Sequence, residues 1–304
     1  MRPPFFPLTF GAGMATAILE QLINGAMMGS IYVLMALGMV LIYGVMHVLN
    51  FAHGVLFMVG GYMAHLFFFN LTGSYPLAIL CSMLALGLIG ILLERTIFRA
   101  LRDNLRMQIV ASLGLILIIQ NGVVRLWGPH ALQMRPSTVD TLVRIGPLSF
   151  TVQHFVIIGV VAVAVTTLYL FLRHTKLGTA MRATSQHPEA AVVVGINPNR
   201  VYTITFAIAC MLAGLGGSLL GPLFLIFPQM GDAPMLKALS AIIIGGMGSV
   251  PGAIVGGLGI GIVESLSTLA IPTDYRDTVV FGILILMLLV RPWGIFGVRV
   301  RGEH

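Results

Sequence analysis

The sequence predicts an all-α, polytopic membrane protein with about eight to ten transmembrane or half-membrane helices and two broken-helix regions. Three observations carry that prediction. Of the 304 residues, 58% are hydrophobic and only 9% are charged, whereas a soluble domain carries roughly 25% charged residues. Apolar runs long enough to cross a bilayer, about 20 residues each, alternate with short polar breaks along the whole chain. The chain holds thirty-six glycines, of which eight fall within 245–261 and four within 44–61. A chain with mean hydropathy +0.99 cannot cover a globule with polar surface, so residues 1–304 read as one transmembrane domain. The net charge of +7 therefore concerns membrane orientation, and no nucleic-acid partner is expected.

The opening MRPPFFPLTFGAG holds one arginine and three prolines with no clean apolar core, and reads as a short retained tail. The first apolar region covers 15–43, with Glu20 and Asn24 near its start. Its Gly25 and Gly29 form a small-xxx-small pair that admits a close helix neighbour. Residues 44–54, GVMHVLNFAHG, are polar at His47, Asn50 and His53. A continuous helix and a re-entrant break both fit, the break only if it is buried in protein or lines a cavity. Which of the two holds decides the side of the N-terminus.

Spans follow at 55–69 and 76–93, then the break ERTIFRALRDNLR at 94–106, whose Arg95, Arg99, Arg102 and Arg106 mark a cytoplasmic face. Residues 107–127 cross outward, 128–150 form an outer loop with Pro129, Pro136 and Pro147, and 151–172 return inward. The interval 173–200 is the longest polar stretch between strongly apolar runs and reads as a cytoplasmic loop. Residues 201–221 cross out. Residues 236–271 suit a half-helix followed by a full helix, broken near Ser249-Val250-Pro251. The last span, 278–290, leaves the tail with Arg299 and Arg301 inside, so the C-terminus is expected in the cytoplasm. Eleven of the seventeen Arg and Lys residues fall in the three proposed cytoplasmic intervals, as the orientation rule requires.

Enzyme chemistry finds little to stand on. The two lysines, Lys176 and Lys237, do not end a G-x-x-x-x-G-K-[ST] phosphate loop, and no H-E-x-x-H, G-x-S-x-G or paired-cysteine motif occurs. Any ATP-driven work would fall to partner subunits, and no cofactor or metal bound by this chain is expected. Cys81 and Cys210 read as small buried hydrophobes. The four-residue glycine spacings Gly248/Gly252/Gly256 and Gly257/Gly261 fit close helix packing. They equally fit broken helices that expose backbone to a polar path, as in many transporters. On the second reading Gly245, Gly246, Gly248 and Ser249 line the path. Glu264, in GIVESL, is a carboxylate in an apolar run and expensive there unless paired, hydrated or protonated. A place on the path and a helix-fixing hydrogen bond stand level. Asn50 and His53 fit the path too, with a lean toward holding the broken segment. Tyr32, Tyr43 and Tyr62 read as packing or interface residues.

The blocks GSIYVLMALGMVLIYGVMHVLNFAHGVLFMVGGYMA (29–64), LGTAMRATSQHPEAAVVVGIN (177–197), LKALSAIIIGGMGSVPGAIVGGLGIGIVESL (236–266) and FGILILMLLVRPWGIFG (281–297) resemble branched-chain amino acid ABC permeases of the LivH type. The resemblance implies a permease subunit of a bacterial importer in the inner membrane. Its implied partners are a second, LivM-type permease, two cytoplasmic ATPases and a periplasmic solute-binding protein. It also implies a short coupling helix seated on an ATPase, for which Glu189-Ala190-Ala191 with Gly195 matches. The local chemistry agrees: Pro188 suits a first helical turn, Glu189 suits a positive helix N-terminus, Gly195 can end the helix, and Arg182 lies nearby as a docking charge. Branched-chain amino acids are the default substrate; related permeases move urea or short amides. A stand-alone secondary transporter or channel is the rival, with Glu264 as its coupling group.

Overall fold

The structure, a computed structural model, describes residues 12–297 except 49, 103, 146 and 147. The opening tail and the tail holding Arg299 and Arg301 lie outside the described residues. Helix α1 (Ala12–Met46) is followed by α2 (His53–Phe67), α3 (Tyr75–Leu93) and α4 (Leu105–Trp127). The outer loop holds the one-turn helix α5 (Ser137–Asp140) and an antiparallel hairpin, β1 (Leu142–Ile145) and β2 (Leu148–Thr151), paired from Leu142↔Thr151 to Ile145↔Leu148. Then come α6 (Val152–His174), α7 (Lys176–Gln186), α8 (Pro188–Val193), α9 (Pro198–Leu220), α10 (Asp232–Gly245), α11 (Val250–Ser267) and α12 (Arg276–Val290). Among the described residues seven helices are long and apolar enough to cross a membrane; α10 and α12 are shorter, at 14 and 15 residues.

Burial sorts the spans. The apolar windows of α1 and α9 are 89% and 83% buried inside the protein, those of α4 and α6 only 17% each. Helices α1 and α9 are therefore central, and α4 and α6 turn residues such as Leu117, Ile118 and Val163 outward as apolar surface suited to lipid. Central helices must approach closely, and glycine permits it. Gly25 sits against Gly261 and Ile262, Gly29 against Gly257 and Leu258, and Gly256 against Ala241. The four-residue glycine spacing thus serves packing between α1, α10 and α11.

The same pairings give direction. Residue numbers rise along α1 as they fall along α11, so the two run antiparallel. Leu34 beside Gly216 and Gly38 beside Ala209 make α1 antiparallel to α9 as well. Helix α1 therefore begins on the face where α6 begins and ends on the face that carries α7 and α8. The segment after Met46 breaks and turns back, which settles the alternative left open for 44–54. His47 adopts a left-handed φ of 55°, uncommon for a residue with a Cβ. Asn50 Oδ1 accepts the Ala52 N–H at 3.0 Å, a local turn of the kind asparagine favours.

The second interruption also differs in detail from expectation. Helix α10 starts at Asp232 rather than 236, the break occupies 246–249, and Pro251 lies within the first turn of α11. Ser249 Oγ caps α11 by accepting the Gly252 N–H at 3.1 Å. The two breaks meet: Gly44 lies beside Gly248, and Tyr43, Asn50 and Met247 line one small cavity between them. The segment after α12 closes this end, with the Ile295 and Phe296 N–H groups donating to the Ile244 and Gly245 carbonyls.

Replacing Gly29 by Leu would drive a side chain into the α11 backbone, since even a Cβ there lies 2.9 Å from Leu258 Cα. We expect a loss of about 1–3 kcal/mol, seen as a lower unfolding midpoint in detergent. Gly259→Leu, where nothing stands within 4 Å, should leave the midpoint unchanged.

Candidate functional site

Three places concentrate polar groups: the α7–α8 interval, a buried ion cluster beside it, and a second buried cluster at the opposite end of the helices.

The interval 173–200 is helical rather than an irregular loop. Thr175 caps α7 through its hydroxyl, which accepts the Gly178 N–H at 3.0 Å. Met181 and Thr184 of α7 are buried while Arg182 is exposed and donates to the Thr179 hydroxyl. His187 is extended, Pro188 opens α8, and Glu189 stands in its first turn. Gly195 ends it with a left-handed φ of 85°. Its N–H donates to Val192 O at 2.9 Å and the Ile196 N–H donates to Ala191 O at 2.9 Å, a closure that favours glycine. Ala191 is buried, whereas Glu189, Ala190 and Gly195 are exposed. The sequence reading passed over Val193 and Val194, 87% and 74% exposed. Together they leave an exposed apolar patch at the end of α8. Three consecutive valines, at 192–194, were its signal.

Directly behind α8, Asn197 caps α9, and α9 leads into the first ion cluster. The sequence placed Glu94 in a solvated break; it is fully buried instead. A π-helical turn, Glu94–Phe98, is followed by two arginines that reach the carboxylate: Arg99 at 3.0 Å and Arg102 at 2.8 Å. The Thr203 hydroxyl of α9 donates to it at 2.6 Å, and Arg102 reaches Asn199 Oδ1 at 2.6 Å. Arg102 also lies over the Tyr202 ring at 4.3 Å, a cation–π contact.

The second cluster joins four helices. Glu264 of α11, 4% exposed, accepts from Lys237 of α10 at 2.6 Å and from the Tyr32 hydroxyl of α1 at 2.7 Å. Lys237 also meets Asp277 at 2.9 Å, and Arg276 Nε lies 3.4 Å from Glu264. Glu264 is thus a paired carboxylate. Tyr32, read as a packing residue, is its hydrogen-bond donor. Lys237 had been weighed only as a phosphate-loop lysine, and its fixed partner is the missed one.

The remaining path candidates have structural tasks. Gly245 packs on Gly252, Gly246 and Gly248 take left-handed φ values in the break, and Ser249 is a cap. Asn50 is buried at the junction of the breaks, and His53 is buried where the start of α2 meets Gly38 of α1 and Ala209 of α9. Asn50 Nδ2 and both His53 ring nitrogens have no hydrogen-bond partner among the described residues. Among those residues no group of three or more His, Cys, Asp or Glu is placed to hold a metal ion.

Removing one member of a buried ion pair leaves the other charge uncompensated, at a cost of about 3–5 kcal/mol. Lys237→Met should therefore lower stability by about 3 kcal/mol, read from unfolding in detergent. The Lys237→Met/Glu264→Leu double variant should recover more than half of that loss.

Comparison with known proteins bears on the whole chain. The family described as "Branched-chain amino acid transport system / permease component" matches residues 21–288. The high-affinity branched-chain amino acid transport system permease protein LivH of Salmonella typhimurium is 35% identical over 297 residues, covering 92% of this chain and 95% of the relative. LivH of Escherichia coli K12 is 34% identical with the same coverage. The permease protein BraD of Pseudomonas aeruginosa is 32% identical over 298 residues, with 92% and 95% covered. No solved structure matches the chain. With nearly its full length aligned to these permeases and its spans described by one family, the chain belongs to the permease components of branched-chain amino acid transport systems.

Proposed function

We propose that this chain forms one half of the translocation path of an inner-membrane ABC importer for branched-chain amino acids, powered by partner ATPases that grip α8. The observation that carries this reading is the short helix α8. It is held by Pro188 and Gly195 at its ends, anchored through Ala191, and ends in an unshielded apolar tip at Val193 and Val194. The remaining partners are a LivM-type permease and a periplasmic solute-binding protein, and the C-terminus faces the cytoplasm with α7 and α8. Eleven of seventeen basic residues on that side support the orientation.

The mechanism follows from connections already described. An ATPase closing on α8 pushes a segment that leads through the Asn197 cap directly into α9. Helix α9 is tied to the end of α3 and the segment joining α3 to α4 through Thr203, Asn199 and Glu94 with its two arginines. Force on α8 would therefore move α9 and α3 together. Rocking them against the α1–α11 pair would open the path inward. A self-sufficient, ion-coupled transporter would need a free intramembrane carboxylate. Glu264, occupied by Lys237, Tyr32 and Arg276, is a poor candidate for that task.

Gly195→Val, strained at a left-handed φ, and Glu189→Lys, reversed in sign at a helix N-terminus, should each assemble with the ATPases. In proteoliposomes they should lower ATP-driven leucine uptake by about tenfold or more, the scale of a typical coupling free energy, while ATP hydrolysis continues. Normal uptake by both would refute the assignment of α8.

A further inference from the structure

A cavity of 270 Å³ opens between α1, α6, α11 and α12 on the face where α1 and α6 begin, away from α8. Its volume falls just below the roughly 300–1,000 Å³ of ordinary small-molecule sites, so it suits one small solute. Its lining is mixed. Met27, Met28 and Phe224 supply apolar surface; Gln21, Asn24, His154 and Arg276 supply polar groups.

Several of these polar groups have spare capacity. Glu264 also borders the cavity, yet both of its oxygens are taken, by Lys237 and Arg276 Nε on one side and Tyr32 on the other. Arg276 uses Nε for that contact and for Asp277. Its terminal Nη1 and Nη2 make no hydrogen bond among the described residues, and the side chain is 44% exposed. Gln21 accepts from Ser265 through Oε1 and keeps Nε2 unused; His154 engages Thr151 through Nδ1 and keeps Nε2. Asn24 has no side-chain partner among the described residues.

A half-buried guanidinium edge with free donors is a carboxylate site. The Asn24 amide oxygen is an acceptor available to an ammonium group in the same cavity, and so is His154 Nε2 in the tautomer whose Nδ1 donates to the Thr151 hydroxyl. Resting on the importer reading above, we propose that this cavity is an outward-side subsite for a zwitterionic amino acid. The Arg276 guanidinium takes its carboxylate, Asn24 and His154 take its ammonium, and Met28 and Phe224 take its apolar side chain. The binding requires the carboxylate, which sets it apart from recognition of urea or amides.

The test uses the assembled permease–ATPase complex with Cys81 and Cys210 replaced by Ala and Thr268→Cys as reporter. Thr268 lines the cavity but is not among the proposed contacts. L-leucine should slow its modification by a membrane-impermeant thiol reagent several-fold. L-leucinamide, which keeps the amine and side chain but lacks the carboxylate, should not. Adding Arg276→Gln should raise the leucine concentration for half-protection about tenfold, with the unprotected labelling rate unchanged. Arg276→Lys, which keeps the charge but loses the fork, should fall between. Equal protection by leucinamide, or undiminished protection in Arg276→Gln, overturns the subsite. So does absence of leucine protection in a complex that still transports leucine. Failure of the importer reading is separate: the unsubstituted complex, given its binding protein, would show no ATP-dependent leucine uptake in proteoliposomes.

Discussion

The structure depends on one seam, the antiparallel contact between α1 and α11. Lipid tails are as apolar as leucine, so helices in a bilayer gain little from hydrophobic burial against each other. They gain from close van der Waals contact, which requires small residues. Gly25 and Gly29 on α1 face Gly261 and Gly257 on α11 at distances that leave no room for a Cβ. Tyr32 stands one turn beyond Gly29, and Glu264 one turn beyond Gly261. Residues three apart share a helix face, so the register that seats the glycines also brings the tyrosine hydroxyl to the carboxylate.

Two buried carboxylates mark the two ends of the helix assembly. Glu264 joins α1, α10, α11 and α12, and Glu94, just past the end of α3, joins α9 and the segment leading to α4. Each has two cationic partners and a hydroxyl donor. Buried ion pairs contribute little net stability, but breaking one is costly. Such clusters therefore favour discrete arrangements over gradual deformation. That property is what the proposed rocking of α3 with α9 against α1 with α11 would require.

The glycines illustrate how one sequence feature can serve two ends. Along α11 they are contact surfaces for α1 and α10, while Gly246 and Gly248 in the break before it take backbone angles open to glycine. Both breaks are placed side by side, with Asn50 buried between them. The helices they interrupt are thereby held at one level, facing each other across a small cavity.

Much of this was legible in the sequence because it is local. Apolar runs of sufficient length gave the spans, Pro188 and Gly195 bounded α8, Ser249 and Pro251 opened α11, and the polar residues of 44–54 marked a break. The hairpin at 142–151 was read as plain loop, since short strands lack a distinctive signal amid prolines. What the sequence by itself determined about this protein is its class, the order of its helices and its family. The tertiary structure alone decided that Glu94 is buried and not solvated, that Lys237 and Tyr32 meet Glu264, that Arg276 edges a cavity with Gln21 and His154, and that α1 begins opposite α8. The physical reason is range. Helix limits and caps are set by neighbours a few residues away, whereas Lys237 and Tyr32 lie 27 and 232 positions from Glu264 and meet it only once glycine-lined helices have locked into register.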